Sequence, residues 1–158
     1  MKEIFLSQNK VAIIDDEDFD AVSKYKWCAV CIKKIWYARA QIENHLVYLH
    51  RFLMQPSIKM EVDHKDGNGL NCIRENMRVC RPLDNNRNRR IQKGNTSGYK
   101  GVWWYPRLKK WESGISVENK SIHLGVFIQR DDAALAYNEA AKLYYGDFAK
   151  LNNIQTGG

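Results

Sequence analysis

Residues 62–71 read VDHKDGNGLN, and residues 76–80 read NMRVC, two positions before Pro82. The pattern is strand, loop, strand, helix. Glu61 to His64 is short and suits a strand. Lys65 to Glu75 contains Gly67, Asn68, Gly69 and Asn71, residue types that tolerate left-handed backbone, so it is a loop. Asn76 to Cys80 returns as a second strand. Pro82 suits a first helical position and opens a helix to about Ile91.

A calcium loop is the first chemistry this stretch invites, but the register fails. Counting from Asp63, the third position is Lys65, where an oxygen ligand is required, and the sixth is Asn68 rather than Gly. Phosphodiester hydrolysis fits the residue types better. It needs a base for water and a cation near the leaving oxygen. Histidine titrates in the range of such a base. One carboxylate with one amide oxygen, completed by phosphate and water, is a shell a hard cation such as Mg²⁺ accepts. The strand–loop–strand–helix order can bring Asp63, His64 and Asn85 to one edge. A surface histidine in a turn is the competing account, and the Asp63-His64 pair taken alone would favour it.

Upstream, Val11 to Ile14 reads as a buried strand. Asp15 or Asp16 then caps a short helix with acidic residues in its first turn. Lys26 to Ala40 reads as a hairpin with Lys33-Lys34 in the middle. His45 to Met54 is apolar at Leu46, Leu49, Leu53 and Met54, which fits a helix after a strand end, stopped by Pro56. Downstream, Tyr99–Tyr105, Lys110–Val117 and Ser121–Phe127 read as three strands. Asp131 and Asp132 open a helix whose Ala133, Ala136, Ala140 and Ala141 let it lie close against a sheet. Gly146 is its stop.

The 158 residues carry a formal charge of +7 and a pI near 9.2. The length fits one domain or two very small ones. Residues 1–56 have a net charge of +1, residues 57–98 of +4 and residues 99–158 of +2. The densest cluster is Arg87, Arg89, Arg90 and Lys93, followed by the small polar run from Gly94 to Gly98. A basic helix end before a flexible linker suits a chain that tracks a phosphate backbone, although charge runs are usually solvated faces. The basic excess with 11% aromatics points to a polyanionic partner. The longest aliphatic run, Val11 to Ile14, is far short of a membrane span. MKEIFLSQNK holds no secretory signal, so the expected compartment is the cytoplasm. The cysteines argue against structural zinc. Cys28 and Cys31 are three apart in a strand and so face opposite sides, and Cys72 and Cys80 lack a knuckle spacing.

LHRFLM, VDHKDGNGLNCIRENMRVC and RPLDNNRN together resemble an HNH endonuclease of the phage and intron homing type, over residues 46–92. The matching positions are His50-Arg51, Asp63-His64, Asp66-Gly67-Asn68, Asn71, Asn76-Met77-Arg78 and the helix asparagines. The resemblance implies a ββα-metal finger, with His64 as general base. It implies that Asn76 ties the loop to the strand, and that Asp63 and Asn85 bind one divalent metal, Mg²⁺ or Mn²⁺, per site. Asn85, Asn86 and Asn88 leave the register of the helix ligand open; spacing from Asn76 favours Asn85. His50, Arg51 and Asn71 are supporting residues. Met77 stands where Leu is usual, a volume-conserving change.

Residues 97–152 resemble a second family. The quoted pieces are YKGV, LGVF, AALAYNEAA and the closing GDFAKLN. The match is to the plant ethylene-response-factor DNA-binding domain of the APETALA-two type, also found in mobile-element nucleases. It implies a three-stranded antiparallel sheet packed on one helix and laid into the major groove of double-stranded DNA. Its outward residues would be Lys100, Trp103, Tyr105 and Arg107, joined by Trp111 and His123. Aromatic stacking or contacts to thymine methyl groups would replace the family's arginine readout. Val102 and Trp104 read as core.

The combined expectation is an α+β chain. A β-rich extension over 1–45 supports an HNH finger over 46–93. A linker over 94–98 leads to a DNA-binding domain over 99–152. The function is metal-dependent DNA cleavage in the cytoplasm of a prokaryotic or phage-infected cell. Arg78, Arg87, Arg89, Arg90 and Lys93 clamp phosphates, and the chain is a monomer rather than a dimer. The alternative is a non-catalytic, sequence-specific DNA-binding regulator on a nuclease scaffold.

Overall fold

The computed structural model describes residues 1–87, 91 and 94–154. It has a mixed α+β architecture in two compact units, Met1–Asn86 and Arg87–Gly158. No helix among the described residues is long and apolar enough to cross a membrane.

The first unit opens on β1 (Lys2–Phe5), antiparallel to β2 (Val11–Ile14). The β1 strand is absent from the sequence expectation because its burial pattern leaves only Ile4 inside, too little for periodicity to register. A 3₁₀ turn (Asp16–Asp18) leads into α1 (Phe19–Val22). Asp15 occupies the N-cap position but makes no side-chain cap bond there. Its carboxylate instead accepts the Arg74 backbone N–H at 2.8 Å. Buried Asp18 accepts Arg74 Nε at 3.0 Å and Nη2 at 2.6 Å. The acidic run therefore pins the end of the Lys65–Glu75 loop.

The middle sheet has the order β3 (Cys28–Ile32), β4 (Ile35–Ile42), β5 (His45–Tyr48). Both hairpins close through two-residue turns with positive φ, Lys33-Lys34 and Glu43-Asn44. This turn geometry matches the strand twist. The sequence expectation of helix from His45 fails for its first four residues, which pair with Arg39 to Ile42 as β5. The helix α2 (Leu49–Met54) follows directly and ends at Gln55, which has φ 44°. A smaller sheet pairs β6 (Glu61–His64) with β7 (Met77–Cys80). The helix α3 (Pro82–Arg87) follows. One core joins these pieces: Ile14, Val22 and Trp27 from the N-terminal segment, Ala38 and Ala40 from β4, Leu49 and Leu53 from α2, and Val62, Cys72 and Met77. Burial of the larger aliphatic side chains, Ile14, Val22, Leu49 and Leu53, contributes roughly 1.5–3 kcal/mol each.

The second unit is the antiparallel sheet β8 (Val102–Tyr105), β9 (Lys110–Val117), β10 (Lys120–Phe127), in the order β10-β9-β8. The helix α4 (Arg130–Tyr145) packs on one face through Ala133, Ala134, Tyr137, Ala140 and Ala141. The alanines allow close approach, as their size predicts. Asn152 fastens the tail to this unit. It exchanges bonds with Asn138 and with the backbone of Lys100.

Candidate functional site

Strand alternation sends Asp63 and His64 to opposite faces of β6. On one face, Asp63 lies opposite Arg78 in register. Its Oδ2 accepts Arg78 Nε at 2.9 Å and Nη2 at 2.6 Å. Both side chains are largely buried, so each neutralises the other where water screens little. Glu61, two residues back on the same face, accepts Asn85 Nδ2 at 2.7 Å. Asp63 and Asn85 each carry an oxygen of the kind a hard cation accepts, but Asp63 is engaged by Arg78 and Asn85 by Glu61. No three His, Cys, Asp or Glu side chains gather into a metal-holding group among the described residues.

On the other face, His64 enters a cluster of rings. His50 lies 5.2 Å away, edge to face, and Tyr37 at 6.1 Å. Tyr48 stacks on His50 at 5.5 Å. Behind them is buried Cys72, with Sγ 3.9 Å from His64 Nε2. Burial lowers the His64 pKa, and the charges of Asp66 and Asp63 oppose that. Burial lowers the His50 pKa to about 3, with the positive charges of His64 and Arg51 adding to it. His50 Nδ1 is buried with no hydrogen-bond partner among the described residues.

The loop between the strands is held by its own polar side chains. Asn76 Nδ2 donates to Asn71 O at 2.8 Å and to Asp66 Oδ1 at 3.1 Å, and Asn76 Oδ1 accepts the Asp66 N–H at 3.2 Å. Asn71 Nδ2 donates to Asp66 Oδ2 at 2.8 Å. Burial would raise the Asp66 pKa, but bonds from the Asn68 N–H, Asn71 and Asn76 outweigh it and hold the carboxyl below its usual range. The far end of the loop pairs with β2: Ile13 N–H donates to Leu70 O, and Cys72 N–H to Ile13 O. Arg51 Nη1 donates to Met60 O.

The predicted phosphate clamps have different surroundings. Arg78 is committed to Asp63. Arg87, in the second unit, lies 4.8 Å from the Tyr145 ring centroid. Arg89, Arg90 and Lys93, and the alternative helix asparagine Asn88, lie outside the described residues.

In the second unit, Trp103 is 42% exposed. Its Nε1 donates to Glu112 Oε2 at 2.8 Å, and Glu112 Oε1 lies 3.2 Å from His123 Nδ1. These three share the face away from α4. Trp111 is on the other face, packed with the Val102, Ala133 and Ala134 cluster. Trp104 meets it edge to face at 5.1 Å. Trp104, expected in the core, is 41% exposed because β8 is the edge strand. Lys100 Nζ donates to Arg87 O. Burial and then the Lys150 charge lower the Lys100 pKa to about 8. Tyr105 is half-buried and Arg107, in the following turn, is exposed.

The surroundings of His64 escape the motif. Tyr37, Tyr48 and Cys72 arrive from β4, β5 and the loop, and Glu61 precedes the Asp63-His64 pair. Gly69 carries the one sequence signal. A Cβ there would lie 2.5 Å from the Tyr37 ring and 2.6 Å from the Trp36 carbonyl oxygen, so β4 packs on bare backbone.

The pH dependence of stability follows from His50. Its folded pKa lies below its ordinary 6.5, so the unfolded chain binds the proton more readily. The stabilisation is complete above about pH 6.5 and is lost as pH falls toward about 3. We expect the melting temperature to drop from pH 7 to about pH 5.5, where most carboxylates stay ionised, and to drop less in His50→Phe. Equal slopes in the two proteins would refute the assignment.

No family model matches this chain, and no solved structure does. It is 30% identical over 153 residues to an uncharacterized HNH endonuclease of Acanthamoeba polyphaga mimivirus, covering 90% of this chain and 75% of that one. It is 33% identical over 90 residues to Protein 3.8 of Escherichia phage T7, covering 57% of this chain and 74% of the phage protein. It is 38% identical over 72 residues to APETALA2-like protein 2 of Oryza sativa, covering 46% of this chain but only 17% of the rice protein. With two relatives of at least 30% identity aligned over about three quarters of their lengths, one of them an HNH endonuclease, the chain belongs to the HNH endonuclease family.

Proposed function

We propose that the chain is a double-stranded-DNA-binding protein built on the HNH scaffold, and that any phosphodiester cleavage it performs is centred on His64. The observation that carries this is the Asp63-His64 pair at the end of β6, above a loop tied by Asn76, Asp66 and Asn71. In this reading, His64 takes a proton from water. Asp63 and Asn85 hold a divalent cation, which when bound supplies charge stabilisation at the phosphate and the leaving 3′ oxygen. Trp103, Tyr105, Arg107 and His123 meet DNA from the second unit, with aromatic contacts in place of arginine forks. Lys100 is a weaker candidate for phosphate contact, since its ammonium is partly buried.

A second reading has specific support. Asp63 is engaged by Arg78, no metal-holding cluster occurs among the described residues, and the chain is 38% identical over 68 residues to an AP2-like ethylene-responsive transcription factor of Arabidopsis thaliana. These observations favour a non-catalytic DNA-binding regulator on a nuclease scaffold over the enzyme. Supercoiled plasmid separates the two. Cleavage with Mg²⁺ or Mn²⁺ that EDTA stops supports the enzyme. A gel shift without cleavage in either metal supports the regulator. Neither cleavage nor a shift would sink both.

A further inference from the structure

Trp103 on β8 faces Glu112 on β9 in register, and Gly114, two residues further along β9, faces His123 on β10. By strand alternation Gly114 shares the face of Glu112, away from α4. The Trp103 Nε1–H donates to Glu112 Oε2 at 2.8 Å. A Cβ on Gly114 would lie 2.8 Å from Trp103 Cη2 and 3.4 Å from Cζ3. Strand side chains ordinarily stand up from their sheet. Here the indole atoms farthest from their own backbone rest on the bare backbone of Gly114, so the ring lies down across β9. It is held at both ends, its nitrogen by Glu112 and its benzo edge by Gly114. Its outer face stays open, since Trp103 is 42% exposed.

What that open face can offer a ligand is narrow. The Nε1–H is the only polar group of an indole, and Glu112 takes it. The other Glu112 oxygen lies 3.2 Å from His123 Nδ1, and the Glu112 side chain is itself mostly covered. The exposed surface of Trp103 is therefore apolar. In an intact duplex the flat faces of the bases are occupied by their stacked neighbours. A ring fixed flat on a sheet in the major groove meets base edges only, and the C5 methyl of thymine is the apolar group on those edges.

We propose that Trp103 is a specificity-determining residue that packs on the C5 methyl of a thymine, and that Glu112 is the positioning residue that lays its ring down. The ligand class is duplex DNA with thymine at a fixed place, as opposed to the same duplex with uracil there. Both roles rest on the second unit meeting the major groove of DNA, as the proposed function has it. Without Glu112 the indole regains its ordinary rotamers and its N–H becomes a donor for other groups, and both changes blur the choice.

Binding by the full chain in EDTA, so that no duplex is cut, tests this. Duplexes enriched from a random pool are compared with copies in which single thymines are replaced by uracil, which removes the methyl and nothing else. At one thymine the uracil copy should bind wild type about fourfold more weakly, the scale of one buried methyl group. In Trp103→Ala the two copies should bind alike. Glu112→Ala should bring the thymine-to-uracil ratio toward one. Glu112→Gln, whose amide oxygen still accepts the indole N–H, should restore it. The ratio is the readout because loss of a carboxylate strengthens DNA binding of every sequence. A ratio of one at every thymine in wild type overturns the proposal, as does enrichment of no common sequence or an unchanged ratio in Trp103→Ala. An unchanged ratio in Glu112→Ala overturns the positioning role. If an alanine variant does not fold, Trp103→Gln and Glu112→Thr take their places with the same expected results. Wild type that binds no duplex removes the DNA-binding reading of the second unit and the proposal with it, whereas equal binding of thymine and uracil copies leaves that reading in place.

Discussion

His64→Ala is expected to end plasmid cleavage by the full chain while its affinity for DNA stays that of wild type. A positioned base contributes about 10²–10⁴ in rate, which places the variant at or below background. The ring has little part in gripping DNA, because it is buried among Tyr37, His50 and Cys72. Removing it leaves a hole, and large-to-small changes at such sites cost about 2–5 kcal/mol. The thermal unfolding midpoint must therefore be measured beside the rate. His64→Gln fills more of the space and should be as inactive while more stable. Cleavage retained by a folded variant would remove His64 from the chemistry. Equal loss of binding and cleavage at an unchanged midpoint would reassign it to DNA contact.

Gly101→Ala should unfold the second unit at temperatures where wild type is intact. Gly101 has φ +67°, and a Cβ there would lie 2.0 Å from Tyr137 Cδ2 and 2.6 Å from Gly114 O. Tyr137 is held in the core between α4 and β9, so it has no easy retreat. The Gly101 carbonyl also accepts the Gly114 N–H at 2.9 Å. Left-handed strain in a non-glycine residue costs about 1–3 kcal/mol, and forced overpacking another 1–3 kcal/mol. For a unit of this size each kcal/mol moves the midpoint by about 4–8 °C. Gly98→Ala is the control: φ is +75° but no atom lies within 4 Å, so it carries strain alone. Calorimetry should show one transition lowered strongly in Gly101→Ala and weakly in Gly98→Ala. Equal shifts would mean that the Tyr137 contact has no cost. Under either functional reading Gly101→Ala should also bind DNA less tightly.

Local chemistry was legible without coordinates. Val11–Ile14, Glu61–His64 and Lys110–Val117 are strands with the expected ends, and the expected helix start at Asp131 is off by one residue. Turn residues and short apolar runs fix such elements, because their causes lie within a few positions of each other. His45 to Tyr48 is the counterexample. Its apolar spacing suits a helix, yet pairing with β4 makes it a strand, and a partner strand offers backbone bonds that spacing cannot anticipate.

For the site, the sequence by itself determined the letters: a carboxylate next to an imidazole, a glycine and asparagine loop, and an asparagine at the second strand. It also determined that Asp63 and His64 face apart, since alternation is a property of any strand. Only the tertiary structure decided what each face meets. Arg78 counts as positive charge in the sequence, but Asp63 neutralises it within hydrogen-bond distance. Lys100 sits at an outward position in the pattern, but Asn152, 52 residues away, clasps its backbone. His64 meets Tyr37, His50 and Cys72 because three separate segments converge in one core. Contacts of that kind depend on where distant segments pack, which no spacing along the chain encodes.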